Sequence, residues 1–299
     1  MGGRPWAPRS LRHLSRELGD RQHAACPNTV RRLLKKRGFS LKANRKRISG
    51  KTHRDREIQF QYIERQRQKF AQAGWPRISV DAKKKELVGN FKSAGQAWAR
   101  QAEEVNIYDF PPDALCRATP YGVYDIGRNR GMVSVGTSAD TAEFAVDSVE
   151  AWWQHQGAPA YPNAQRLLIL ADGGGSNGHR CRLWKRQLQE WSDRHRVEVT
   201  VCHYPTGASK WNPVEHRLFS YISINWAAKP LRTLETLLAC LRGTRTKGGL
   251  QVEARLADKT YHAKVKVPDR DMKALKLRRH DTCPNWNYTL MPRPLGPAP

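Results

Sequence analysis

The chain has 299 residues, with 53 Lys/Arg against 27 Asp/Glu and a formal net charge of +26. That length can bury a substantial core, and that charge implies a polyanionic partner, nucleic acid first. No run of about 18 apolar residues occurs and no signal-peptide pattern opens the chain, so neither a membrane span nor export is expected.

The charge is unevenly placed. Residues 1–70 carry a net +15, residues 71–228 only +2, and residues 229–299 a net +9. A near-neutral middle between two basic ends suits an enzyme core flanked by binding segments. Six cysteines (26, 116, 181, 202, 240, 283) form no CxxC pair and no zinc spacing, and read as reduced thiols of a cytoplasmic, nucleoid-associated protein.

Residues 1–10 show no periodicity. Ser10 then caps a helix with Leu11, Leu14 and Leu18 on one face, and Gly19 stands where it would stop. A second helix follows from Pro27 to Gly38, with Val30, Leu33 and Leu34 inward and Arg31, Arg32, Lys35 and Lys36 outward. Two short helices with a basic second one fit a helix-turn-helix that enters the major groove, continued by Arg45 and Lys46. An ordinary helical hairpin with solvated charges is the competing reading. Residues 53–73 lack Gly and Pro and read as a long linking helix, ended by Trp75-Pro76.

Arg77–Asp81 is a short strand ending in a carboxylate. Residues 93–118 resist assignment and suggest an insertion loop. Residues 122–136 alternate around Arg128-Asn129-Arg130 as a hairpin. A helix over 141–156 leads to Leu167-Leu168-Ile169-Leu170-Ala171-Asp172, a buried strand that stops at Gly173-Gly174-Gly175. A helix over 181–196, a strand over 197–202 and a helix from Asn212 complete the middle. Strand with Asp, hairpin, helix, strand with Asp, helix, strand, helix with Glu is a ribonuclease H-like α/β arrangement: a mixed sheet with helices on both faces, here preceded by a small helix-turn-helix domain.

Phosphoryl transfer on a nucleic-acid backbone asks for two divalent ions about 4 Å apart, and hard Mg²⁺ prefers carboxylate oxygens. Asp81 and Asp172 end adjacent parallel strands in this arrangement, and Glu215 reaches the same point from the first turn of a helix. Each has a plainer alternative. Asp81 suits an ion pair with Lys83 or Lys85, Asp172 its own glycine turn, and Glu215 a capping box with Asn212 and Pro213. The glycines lack the Gly-Lys-Ser/Thr ending of a nucleotide-binding loop. Asp125 is the main rival, with a mid-hairpin position that points to an edge or surface role. Lys210 suits a phosphate contact and Trp211 a splayed base, or else a packed surface loop. His179 and His216 lie near two of the carboxylates and suit substrate contact.

Several segments resemble the DDE transposases of bacterial insertion sequences, most closely the ISAzo13-like family. They are Leu41–Lys46, Asp55–Phe60, Ser79–Glu86, Ala171–Asn177, Ser209–Phe219 and Trp286–Thr289. The resemblance spans roughly residues 10–292. It implies that Asp81, Asp172 and Glu215 are the catalytic, metal-holding triad, with two Mg²⁺ ions for which Mn²⁺ can substitute. It implies cleavage at element ends and attack of the freed 3′-hydroxyl on target DNA by a homo-oligomer. It also implies a chain shortened before its helix-turn-helix, so that an inactive DNA-binding copy is one alternative and a nuclease without strand transfer another. The expected division is 1–52 for DNA binding, 53–75 for the linking helix, 76–228 for catalysis and 229–299 for a basic C-terminal region touching DNA or a second subunit.

Overall fold

A computed structural model describes residues 9–41, 53–208 and 211–294, and the chain divides into two units, Met1–Ser49 and Gly50–Pro299. In the first unit, α1 (Leu11–Asp20) begins where the sequence placed it, with the Ser10 hydroxyl accepting from His13 N. Helix α2 (Pro27–Lys36) opens on its proline. Val30 is buried, whereas Leu33, expected inward, is 46% exposed. Arg31, Arg32, Lys35 and Lys36 are exposed on α2. Arg45 and Lys46 lie outside the described residues.

The second unit opens with α3 (Arg56–Gln72) and is built on a mixed sheet. Strands β1 (Arg77–Ala82), β2 (Glu86–Val88), β3 (Cys116–Asp125), β4 (Arg130–Gly136), β5 (Arg166–Ala171), β6 (Glu198–His203), β7 (Gln251–Leu256), β8 (Leu277–Arg279) and β9 (Asn287–Leu290) form it. Their order is β7-β4-β3-β1-β5-β6-β9-β8, with β2 attached to β3. The middle five carry the ribonuclease H-like signature. β3 is antiparallel to β1 and β4, while β5 is parallel to β1 and β6 parallel to β5.

Helices cover both faces. On one lie α4 (Ala142–Trp152), a π-helical turn (Trp153–Gly157), the single turn α5 (Ala158–Ala160) and α6 (Arg182–His195). Their Trp152, Trp153, Trp184 and Trp191 pack on Leu167, Ile169 and Ala171. The opposite side of β5, Leu168 and Leu170, meets Ile63 and Phe70 of α3. An unbroken apolar strand is what a doubly covered sheet requires. A helix running from a π-helical turn (Glu215–Phe219) into α7 (Ser220–Asn225), together with α8 (Leu234–Arg242), covers the β3–β4 end of that second face.

The structure recasts two segments. The stretch expected as a link is a layer of the domain: Gln59 is fully buried and its Nε2 donates to His203 O (2.9 Å) and Asn287 Oδ1 (2.8 Å). The basic C-terminal region supplies α8, β7, the short helix α9 (Asp269–Lys273), β8 and β9, so much of it is sheet rather than tail. Most of its lysines and arginines are exposed, and their number hid these elements in the sequence. Between β2 and β3 the chain is irregular apart from a 3₁₀ turn at Pro111–Asp113, as the absence of a pattern there suggested.

Candidate active site

Register brings the first two carboxylates together. Val80 pairs with Ala171, so Asp81 and Asp172, each one residue further on, leave the same end of adjacent parallel strands. Asp81 Oδ1 accepts from Ala82 N (2.8 Å), and Asp172 Oδ1 from Gly174 N (3.3 Å). Lys83, one plain explanation for Asp81, instead pairs with Glu86 at 2.7 Å and lies 4.7 Å from the Trp226 ring.

Glu215 is brought in by a connection that the sequence did not reveal. Asn212 does not cap its helix in a box with Glu215. Its side chain is fully buried, accepts from the Ser79 hydroxyl and donates to Val80 O (3.3 Å). Ser79 Oγ in turn accepts from Val214 N (2.9 Å), and Glu215 N donates to Asn212 O (3.0 Å). Ile78 and Val80 face the tryptophan side of the sheet, so Ser79 and Asp81 point together to the other face. One hydroxyl two residues before Asp81 thus fastens the start of the helix that bears Glu215.

Two glycines admit that helix. Gly122 sits opposite Asp81 on β3, and a Cβ there would stand 2.5 Å from the Phe219 ring. At Gly131 on β4 it would stand 2.5 Å from Leu218. The missing side chains form a trough into which Leu218 and Phe219 settle.

The three carboxylates feel one another. Burial, then the charges of Asp172 and Glu215 and a hydrogen bond from Glu215, push the Asp81 carboxyl up to about 8. Asp172 is raised by burial and by Glu215, against the opposing Gly174 hydrogen bond. Like charges so gathered favour a cation between them. Two further groups, absent from the sequence reading, border the cluster. The Tyr121 hydroxyl and Asp140 Oδ1 are buried with no hydrogen-bond partner among the described residues, and burial together with the charges of Asp81, Asp140 and Asp172 raises the Tyr121 phenol well above its ordinary value. Hard oxygen donors with unmet polar neighbours fit a hard, partly hydrated divalent ion. Among the described residues, no three His, Cys, Asp or Glu side chains are gathered tightly enough to hold a metal as they stand.

Behind Asp172 the glycine loop closes on itself. His179 Nδ1 meets Gly173 O at 3.0 Å, and His203 Nδ1 meets Asp172 O at 2.8 Å. Full burial holds His203 neutral, down to about 3. Asp125 is no surface residue: it is fully buried, accepting from Gly127 N (2.9 Å), Arg128 N (3.1 Å) and Tyr161 OH (3.0 Å) at the opposite end of β3.

Beside the loop opens a cleft of about 530 Å³ lined by His53, His179, Arg180, Lys185, Arg279 and Trp286, with Asp55 as its carboxylate. Burial and the nearby Arg279 lower the Lys185 ammonium. Arg279 donates to Pro284 O (3.1 Å) and Asn285 Oδ1 (3.0 Å). Of these basic groups only His179 stood out in the sequence, because a lone Arg or Lys carries no spacing signal. Trp211 is 44% exposed and packs on Phe60 (5.6 Å between centroids) and under Arg56 (4.7 Å). Lys210 lies outside the described residues.

A sheet of this topology with carboxylates at the ends of β1 and β5 calls for comparison with known families. The family described as Rhodopirellula transposase DDE domain matches residues 2–292. The chain belongs to that family. As a DDE transposase it is a metal-dependent polynucleotidyl transferase. It is also similar to solved structures of the Mos1 transposase. The paired-end complex with left transposon end is 13% identical, with 79% of this chain and 71% of that chain covered and a TM-score of 0.46. The Mos1 strand transfer complex is 12% identical, with 79% and 70% covered and a TM-score of 0.47. No curated protein matches. Among the described residues of this transposase, no helix is long and apolar enough to cross a membrane.

Proposed function

We propose that this chain is an insertion-sequence transposase that cleaves DNA at the element's ends and joins the freed 3′-hydroxyl to target DNA. Asp81, Asp172 and Glu215 would hold two Mg²⁺ ions, with Mn²⁺ an acceptable substitute. The single observation that carries this is the convergence of three carboxylates from β1, the end of β5 and the Ser79-fastened helix. When bound, the ions would activate the attacking oxygen and stabilise the leaving one.

The remaining work falls to the chain itself. Lys185, Arg180 and Arg279 neutralise the backbone of a strand lying beside Asp172, and Trp286 offers an aromatic edge to its bases. Tyr121 and Asp140 supply a hydroxyl and a carboxylate to waters at the rim of the site. In the first step water attacks the phosphodiester, leaving a 3′-hydroxyl on one side and a 5′-phosphate on the other. In the second that hydroxyl attacks a target phosphodiester, releasing a target 3′-hydroxyl, so each bond broken is matched by one formed. Helix α2, with Arg31, Arg32, Lys35 and Lys36, serves end recognition as the second helix of a helix-turn-helix, together with Arg45, Lys46, Lys210 and Trp211. Two ends imply a homo-oligomer on DNA.

The test is strand transfer with the DNA ends that flank the coding sequence, comparing the wild type with Asp172→Asn. The substitution removes one charge at constant volume. Loss of joining by at least 100-fold with DNA affinity retained supports the reading. Equal activity in the two proteins sinks the metal site, and a wild type that binds but never joins strands with Mg²⁺ or Mn²⁺ sinks the transposase reading.

A further inference from the structure

The carboxylates occupy one end of the sheet, and a second cleft lies at the other. Asp81 is paired with Gly122, whereas Asp125 is paired with Ile78 near the start of β1, so the turn into β4 leaves the sheet at the far end. At about 3.3 Å per strand residue, Asp125 stands about 10 Å along β3 from the level of Asp81, and Arg128 lies in the turn beyond it. There a cavity of about 470 Å³ is lined by Arg128, Arg130, Arg242, Arg245, His155 and Gln156, with Glu253 as its one carboxylate. None of the four arginines forms an ion pair among the described residues. Arg128 also lies close enough to buried Asp125 to favour its charge.

Four like charges directed at one cleft repel, and neutral contacts hold them there. Asn129, in the left-handed region at φ 53°, accepts from Tyr124 OH (2.9 Å) and donates to Gly248 O (2.8 Å), fastening the Arg128–Arg130 turn to the loop before β7. Arg130 donates to Gln251 Oε1, and Arg242 Nε to Ala254 O (2.9 Å). The guanidinium groups keep donors to spare, since each has five.

A second, independent observation comes from the floor. Gln156 belongs to the π-helical turn and is 7% exposed. Its Nε2 donates to Gly131 O at 3.4 Å, while Oε1 is buried with no partner among the described residues. A buried acceptor left unpaired is costly, and a π-helical turn is a common mark of a working site. Deprotonated phosphate oxygens suit the arginines but cannot donate to Oε1. A ligand that meets both needs has an anionic phosphate and an N–H donor, and the exposed His155 ring offers it a face.

We propose that this cleft binds a nucleotide, its phosphate on Arg128, Arg130, Arg242 and Arg245 and a base N–H on Gln156 Oε1. The nucleotide has two sources: a free one, or an unpaired one within a DNA strand that the enzyme holds away from its carboxylates. The cavity falls within the range of small-ligand sites. Only the second source rests on the transposase reading, and the cleft shares no residue with the carboxylate site.

The test is hydrogen–deuterium exchange on the full chain, followed over residues 128–131, 153–160 and 242–252. The probes are the four deoxynucleoside monophosphates, a single-stranded decanucleotide and inorganic phosphate. We expect protection of all three segments by a monophosphate or by the decanucleotide, which tells the two sources apart. Weakening by about tenfold or more in Arg128→Glu/Arg245→Glu, and a smaller weakening in Gln156→Leu, completes the expected pattern. Thermal unfolding verifies that the variants fold, and Arg128→Ala/Arg245→Ala is the milder replacement. Protection by inorganic phosphate equal to that by nucleotides, unchanged in Gln156→Leu, overturns the base contact and with it the proposal. Absence of protection by every probe overturns it outright. Strand transfer by the Asp172→Asn pair reads the other end of the sheet, so the two proposals fail separately.

Discussion

Ser79 shows how much one hydroxyl can decide. It donates to Asn212 and accepts from Val214 N, both within a fully buried environment, and so binds the strand of Asp81 to the helix of Glu215. Ser79→Ala leaves a buried amide oxygen and a backbone N–H unpaired, at a cost of about 1–3 kcal/mol each where water cannot enter. The expected outcome is a stability loss of about 2–6 kcal/mol in denaturant unfolding, with strand transfer falling far more than DNA affinity. A loss of stability with unchanged joining would make Ser79 a packing residue only. The sequence displayed Asp81, Asp172 and Glu215 because a carboxylate after an apolar run is conspicuous. It concealed Ser79, since a serine within a strand has no pattern, and it misassigned Asn212, whose helix-start position looks like a cap whichever way the side chain turns.

At the scale of elements, the approach of the Glu215 helix depends on the trough at Gly122 and Gly131. Gly122→Ala places a methyl group 2.5 Å from Phe219 and about 3.0 Å from Leu218. Overpacking of this kind costs about 1–3 kcal/mol. It also displaces the helix from Asp81, so joining should fall by an order of magnitude or more. Phe219→Leu in the same chain gives back room, and a double-mutant cycle of unfolding free energies should show coupling above about 0.5 kcal/mol. Strict additivity would refute the contact. Elements with strong periodicity or an uninterrupted apolar run, such as α6 and β5, were legible from the sequence. β7 and β8 were not, because edge strands with exposed polar and basic residues read as basic coil, and β9 was not, because its four buried residues, Asn287–Leu290, are too few and too polar to show a pattern. Helix α3 was found but misjudged: its charges suggested a link, while Gln59, Ile63 and Phe70 turn inward.

For the molecule as a whole, the closing hairpin β8–β9 is tied to α3 through His280, and this tie has a pH sign. His280 Nδ1 meets Tyr62 OH at 2.6 Å and Nε2 meets Thr289 Oγ1 at 2.8 Å, an arrangement that spans helix and hairpin. Burial, then the positive charges of Arg278 and Lys69, lower its pKa, with Asp281 opposing. An unfolded histidine takes up a proton near pH 6.5. The native state therefore binds fewer protons than the unfolded state below that point. Its contribution is complete above about pH 6.5 and is lost as pH falls from there towards the lowered native value. His280→Gln keeps an amide for Tyr62 or Thr289 but cannot titrate. Between pH 7.5 and 5.5 the wild type should lose more thermal stability than this variant, while fully buried His203 acts alike in both proteins and cancels. Parallel losses would show that the hairpin's tie is already broken at neutral pH. A larger loss in the wild type would identify the contact between the beginning and the end of the catalytic unit as one that acid releases.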